Sequence, residues 1–98
     1  MDDLAVASRE ELASFYRDVT DSNARAMLDF LIDHAGERFE ARAIMEALQF
    51  AQHRDVALAA HAVGEAAARH GIKRPWLEAQ LGYTMSPEMA AALREARS

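Results

Sequence analysis

Ninety-eight residues, 51% of them apolar, suffice for one domain with one small core that needs no metal or disulfide to hold it. The absence of cysteine excludes disulfide stapling, Cys-ligated zinc and thiol catalysis, because each of these needs a sulfur ligand or nucleophile. Eleven basic residues against sixteen acidic ones leave a net charge of −5, which counts against a strongly basic nucleic-acid face. No apolar run approaches the roughly 18 residues of a membrane-crossing helix. The acidic start Met1-Asp2-Asp3 is unlike a signal peptide, so a soluble cytoplasmic chain is the expectation. Charge is unevenly spread: residues 53–74 carry +2, whereas 1–22 carry −4, 23–52 carry −2 and 75–98 carry −1. Twenty-two alanines and ten arginines against a single lysine match the coding bias of a GC-rich genome, and no device is read into them.

Residues 1–7 are expected to fray. The 3.6-residue period then predicts five helices. In the first, over about 8–20, Leu12, Phe15, Tyr16 and Val19 share a face. Ser8 and Glu11 form a capping box, each side chain satisfying an amide at the helix start that has no intrahelical acceptor. The second, from about Asn23 to Ala35, carries Ala24, Met27, Leu28, Leu31, Ile32 and Ala35 on one stripe. Asp21 or Ser22 can cap it, and Gly36 supplies the left-handed residue that ends it. The third runs from about Glu40 to Phe50 with Ala43, Ile44, Ala47 and Leu48 inward, and Phe39 as a hydrophobic staple onto Ile44.

Gln52-His53-Arg54 interrupts the pattern, and Arg54 or Asp55 opens the fourth helix. Its inward residues Val56, Ala59, Ala60, Val63, Gly64 and Ala67 are small enough to permit close approach of a neighbouring helix. Gly71 ends it and Pro75 confirms the stop. Trp76-Leu77-Glu78 and Tyr83-Thr84-Met85 read as two short strands around Ala79-Gln80-Leu81-Gly82, although Leu77 to Leu81 also fits one helical turn. Ser86 caps a last helix, 87–97, with Pro87 at its first position, where the missing amide costs nothing. Met89, Ala90, Leu93 and Ala96 form its apolar side.

This order predicts a single, mainly α domain over 1–98. It is a winged helix-turn-helix with an added N-terminal helix, a short two-stranded wing and a C-terminal helix. Phe15-Tyr16-Arg17-Asp18-Val19, Asn23-Ala24-Arg25-Ala26, Leu31-Ile32-Asp33-His34-Ala35-Gly36, Pro75-Trp76 and Tyr83-Thr84-Met85-Ser86-Pro87-Glu88-Met89-Ala90 together resemble a group of small actinobacterial domains similar to winged-helix proteins. The resemblance covers roughly residues 12–97, and what it implies is fold more than activity. The chain departs from that group in its short, Gly-poor wing and its acidic total.

Gln52, His53 and Arg54, with Gln49 nearby, stand at the start of the fourth helix, where the N-terminal residues of a recognition helix reach base edges. Amide and guanidinium groups there match the bidentate pairings to adenine and guanine, and a polar capped turn is the plainer alternative. Arg69, Lys73 and Arg74, with His70, form a basic cluster at the far end. They suit phosphate contact, or simply cations at the negative end of a helix dipole. Leu58 and Ala62 lie off the inward stripe beside Ala57, His61 and Glu65, and so offer an apolar outer face to a protein partner. With a shifted helical phase, Leu58 would instead belong to the core.

The four histidines do not make a metal site. His53 and His61 are eight apart, His61 and His70 nine apart, and zinc needs three or four ligands. Glu65–Arg69, Arg25–Asp29 and Arg42–Glu46 read as helix-surface ion pairs. Trp76 is expected as a core plug under the wing. With no Gly-rich phosphate loop and no nucleophile–base pair, neither an enzyme nor a small-molecule cofactor is expected.

Two functions follow from these residues. The first is a small DNA-binding, transcription-regulating winged-helix protein, dimeric because one such module seldom supplies specific affinity alone. In it Gln52, His53 and Arg54 meet the groove, and Arg69, Lys73 and Arg74 meet phosphate. Helices 8–20 and 87–97 are the first places expected for a homodimer contact. The alternative is a winged-helix protein-interaction module that does not bind DNA and docks through Leu58 and Ala62.

Overall fold

The computed structural model describes residues 8–79 and 82–97. The expectations for residues 1–7 and for Gln80-Leu81 between the two expected strands lie outside the described residues. Helix α1 (Arg9–Asp18) starts at the predicted capping box: the Glu11 amide donates to Ser8 Oγ at 3.1 Å and the Ser8 amide to Glu11 Oε1 at 2.8 Å. Its face of Leu12, Phe15 and Tyr16, with Val19 just beyond, is buried. In α2 (Ser22–Asp33), Asp21 Oδ2 accepts from the Ala24 amide at 2.9 Å, and Ala24, Met27, Leu28, Leu31 and Ile32 are fully buried. Gly36, at φ +85°, then turns the chain and donates its amide to the Met85 carbonyl at 2.8 Å.

The turn leads into a strand that the sequence reading does not contain. β1 (Arg38–Glu40) joins β2 (Leu77–Ala79) and β3 (Gly82–Thr84) in an antiparallel sheet of order β1-β3-β2, so the expected two-stranded hairpin is three-stranded. Phe39 and Glu78 both stand opposite Tyr83. The Phe39 ring packs 4.8 Å from Phe30 on α2 and 5.5 Å from His34, and against the core that contains Ile44. The two hairpin strands sit closer together in sequence than expected. Trp76 and Met85 flank them instead of belonging to them, and both are buried in the core.

Helix α3 (Ala41–Leu48) is shorter than predicted and rotated. Ala43 and Ala47 are exposed, whereas Ile44 is fully buried and Ala41, Met45 and Leu48 pack against the core. The physical reason is that Ile44, Met45 and Leu48 remove far more apolar surface from water than two alanines. Helix α4 (Arg54–Arg69) buries Val56, Ala59, Ala60, Val63, Ala66 and Ala67, and these small residues let it lie close against α2. Helix α5 (Pro87–Arg97) is capped by Ser86, whose Oγ accepts from the Met89 amide at 3.1 Å, and it packs mainly on α1.

Arg94 and Arg97 fasten α5 to α2. Arg94 donates to the Ile32 carbonyl at 2.8 Å, and Arg97 to Asp29 at 3.1 Å and Asp33 at 3.2 Å. The predicted Arg25–Asp29 surface pair is therefore replaced. Asp29 accepts from the Tyr16 hydroxyl at 2.7 Å as well as from Arg97, while Arg25 donates to the Tyr16 and Val19 carbonyls at the end of α1. Its guanidinium also lies 4.2 Å from the Tyr16 ring centroid, a cation–π stack. Burial, reinforced by the Asp29 acceptor, pushes the Tyr16 hydroxyl above its ordinary value. No described helix is long and apolar enough to cross a membrane.

Candidate functional site

One wall of α4 is committed to the core, so its opposite wall is the surface this fold presents. Arg54, Leu58, His61 and Glu65 follow one another along that wall at spacings of four, three and four residues, which keeps them in a single stripe. Leu58 is 59% exposed, and the side chains of His61 and Glu65 are 66% and 60% exposed. Ala57 is exposed beside Leu58, but Ala62 is half-buried and packs against the core, so it flanks the stripe instead of projecting from it. The predicted Glu65–Arg69 pair is not formed. Glu65 lies 3.5 Å from His61 Nε2 instead, an ion pair when the imidazole is protonated.

The turn before α4 explains the exposure at its start. Gln49 ends α3 in the left-handed region at φ 59°, and the Phe50 amide closes the turn on the Met45 carbonyl at 3.0 Å. The Gln52 amide donates to Asp55 Oδ2 at 3.0 Å, the carboxylate half of a capping box. This backbone anchoring leaves the side chains of Gln52, His53 and Arg54 in solvent. These three predicted residues do stand together, and Arg54 forms no ion pair with a described residue.

At the other end the predicted basic cluster is divided between neighbours. Arg69 Nε donates to Asp18 Oδ2 at 3.0 Å, and His70 Nε2 lies 3.2 Å from the same oxygen, tying the end of α4 to the end of α1. The hydrogen bond from Arg69, then that from His70, holds the Asp18 carboxyl below its ordinary value. Arg74 turns away from both. It lies over Gly64 on α4 and donates to Glu78 Oε2 at 2.7 Å, and the same oxygen accepts from Trp76 Nε1 at 3.0 Å. Lys73 is exposed and engaged elsewhere. Two of the three expected phosphate ligands, Arg69 and Arg74, are thus already neutralised by carboxylates on different elements. Sequence spacing could not reveal the partner of Arg69, since Asp18 lies 51 residues away, whereas Arg74 and Glu78 are only four apart.

A cleft of about 460 Å³ opens between the sheet, the start of α3 and His53. Its charged walls are paired within the chain: Glu78 with Arg74, Arg42 with Glu46 at 3.6 Å, and Glu40 with Arg38 at 3.8 Å. Burial, with Glu78 nearby, raises the Tyr83 hydroxyl above its ordinary value, so the phenol lining the cleft keeps its proton. No group of three metal-ligating side chains converges among the described residues. His34 Nδ1 lies 2.8 Å from the Phe30 carbonyl, and its ring lies tilted against Phe30 and edge-on to Phe39, a structural placement. Among the described residues Leu77, on the edge strand β2, is the other large exposed apolar residue, at 74%. Comparison with known proteins returns no matching family model, curated protein or solved structure.

Proposed function

We propose that this chain is a winged-helix protein-interaction module that docks a protein partner on the outer wall of α4. The order α2-β1-α3-α4-β2-β3, with a sheet of order β1-β3-β2, supports the winged-helix layout. The resemblance to small actinobacterial winged-helix-like domains belongs to the same proposal. The observation that carries the functional reading is Leu58, 59% exposed at the middle of the wall where a DNA reader needs hydrogen-bonding side chains. A solvated leucine beside Ala57 gains free energy when a partner covers it, whereas against base edges it offers no donor or acceptor. Pairing of Arg69 and Arg74 with carboxylates of the chain, together with the net charge of −5, weakens the attraction that phosphate binding draws on.

A second reading, the DNA-binding transcription regulator, draws on one feature: Gln52, His53 and Arg54 stand consecutively in solvent at the start of α4. One experiment separates the two. A photo-crosslinking residue replaces Leu58 in cells expressing the chain, with exposed Glu10 on α1 replaced as the control, and purified protein is titrated with random duplex at low salt. The interaction reading expects protein adducts at position 58, none at position 10, and no duplex shift. A salt-sensitive shift that Arg54→Ala abolishes, without adducts at position 58, overturns it in favour of DNA.

A further inference from the structure

We infer that the partner on the α4 wall is a second copy of this chain, docked α4 against α4 in antiparallel fashion across a two-fold axis. The inference rests on the protein-interaction reading above and adds the identity of the partner. It starts from the spacing of Arg54, Leu58, His61 and Glu65, which is the alternating four-and-three spacing of a helix–helix seam. The stripe is self-complementary. Its ends carry opposite charges eleven residues apart, about 16 Å at 1.5 Å per residue, and its centre is apolar.

A two-fold axis passing midway between Ala59 and Ala60 brings Arg54 of each copy opposite the partner's Glu65, and Leu58 opposite the partner's His61. The two Leu58 side chains then meet across the axis. Ala57 borders one side of the stripe and Ala62 the other, and both are small enough to let the helices close on one another. Parallel docking would instead set Arg54 against the partner's Arg54 and Glu65 against the partner's Glu65. Charge alone therefore selects the antiparallel arrangement, which is also the isologous contact expected of a closed dimer.

Both ends of the seam are available for this. The Glu65 side chain is 60% exposed, and its one contact along α4, His61 at 3.5 Å, is on the same stripe. Arg54 is exposed and makes no ion pair with a described residue. The expected homodimer contact thus moves away from helices 8–20 and 87–97, since α1 and α5 pack chiefly on each other. A single helix pair falls at the low end of stable interface areas, so the dimer is concentration-dependent rather than permanent.

The test is a charge swap read by sedimentation velocity over a concentration series, with circular dichroism verifying that each variant folds. Wild type should self-associate. Arg54→Glu alone, or Glu65→Arg alone, places two like-charge pairs in the seam and should weaken self-association about tenfold or more. Mixing the two single variants pairs Glu with Arg at one end and Arg with Glu at the other. That mixture should recover wild-type association, as should the double variant on its own. A wild type that stays monomeric throughout overturns the inference, as do single variants that associate normally or a mixture no tighter than its components. Adducts at position 58 containing only a different protein, with monomeric wild type, sink the second-copy partner and leave the interaction reading standing. No adduct of any kind removes both.

Discussion

A Cβ built on Gly64 would collide with the Arg74 guanidinium, so the glycine in the middle of α4 is a seat for that side chain. Mid-helix glycine costs about 1 kcal/mol relative to alanine, and the return here is an arginine laid along the helix and held by Glu78, which also takes the Trp76 indole N–H. Gly64→Ala in an Arg74→Ala background should therefore stabilise the chain by about 1 kcal/mol. In the wild-type background the gain should be smaller, because the new methyl displaces the guanidinium. Urea denaturation of the four-member cycle checks this, and equal gains in both backgrounds would show that Gly64 and Arg74 are uncoupled. A small residue at position 64 was legible in the sequence as part of a close-packing wall. Its partner was not, because Arg74 reads locally as a free cation past the end of a helix.

At the scale of elements, Asp18 holds the ends of α1 and α4 together through Arg69 and His70. The folded chain holds this carboxyl below its ordinary value of 3.8, so folded Asp18 binds a proton less readily than unfolded Asp18. Its contribution is whole above that ordinary value and is lost as pH falls through the depressed one. Asp18→Asn should accordingly flatten the acid limb of a stability–pH profile, measured as the urea midpoint, with the change falling below about pH 4. An acid limb as steep as wild type would show that the tie contributes nothing. The starts of α1, α2 and α5 were readable because each is written within four residues: Ser8 with Glu11, Asp21 with Ala24, Ser86 with Met89. The rotation of α3 was not, since Ala43, Ile44, Ala47 and Leu48 satisfy the helical period as well as Ala41, Ile44, Met45 and Leu48 do. Packing chose the set with the larger side chains.

For the molecule as a whole, α1 and α5 close one core from opposite ends of the sequence, with Phe15 and Leu93 fully buried. Phe15→Ala should cost about 3–5 kcal/mol through lost transfer energy and the cavity left behind. That is a large share of the roughly 5–15 kcal/mol that a domain commands. Urea denaturation followed by Trp76 fluorescence measures it, and a loss under about 1 kcal/mol would mean that α1 is not part of the cooperative unit. The same closure accounts for the surface left over. With α1 and α5 occupied by each other, the stripe from Arg54 to Glu65 is the long helical wall carrying an exposed leucine.

The five helices, the caps of α1, α2 and α5 and, apart from Gly64 and Ala66 on α4, the inward stripes of α1, α2, α4 and α5 were determined by the sequence itself, because capping and helical periodicity act over three or four residues. The third strand, the rotation of α3 and the long-range partners of Arg69 and Arg97 were decided only by the tertiary structure, whereas Arg42–Glu46, four residues apart, was legible beforehand. Arg69 meets Asp18 across 51 residues and Arg97 meets Asp29 across 68. At those separations any of several carboxylates satisfies a guanidinium equally well on paper. Only the packed core, by fixing which helix ends meet, selects one, and the same selection leaves Arg54, Leu58 and Glu65 facing outward.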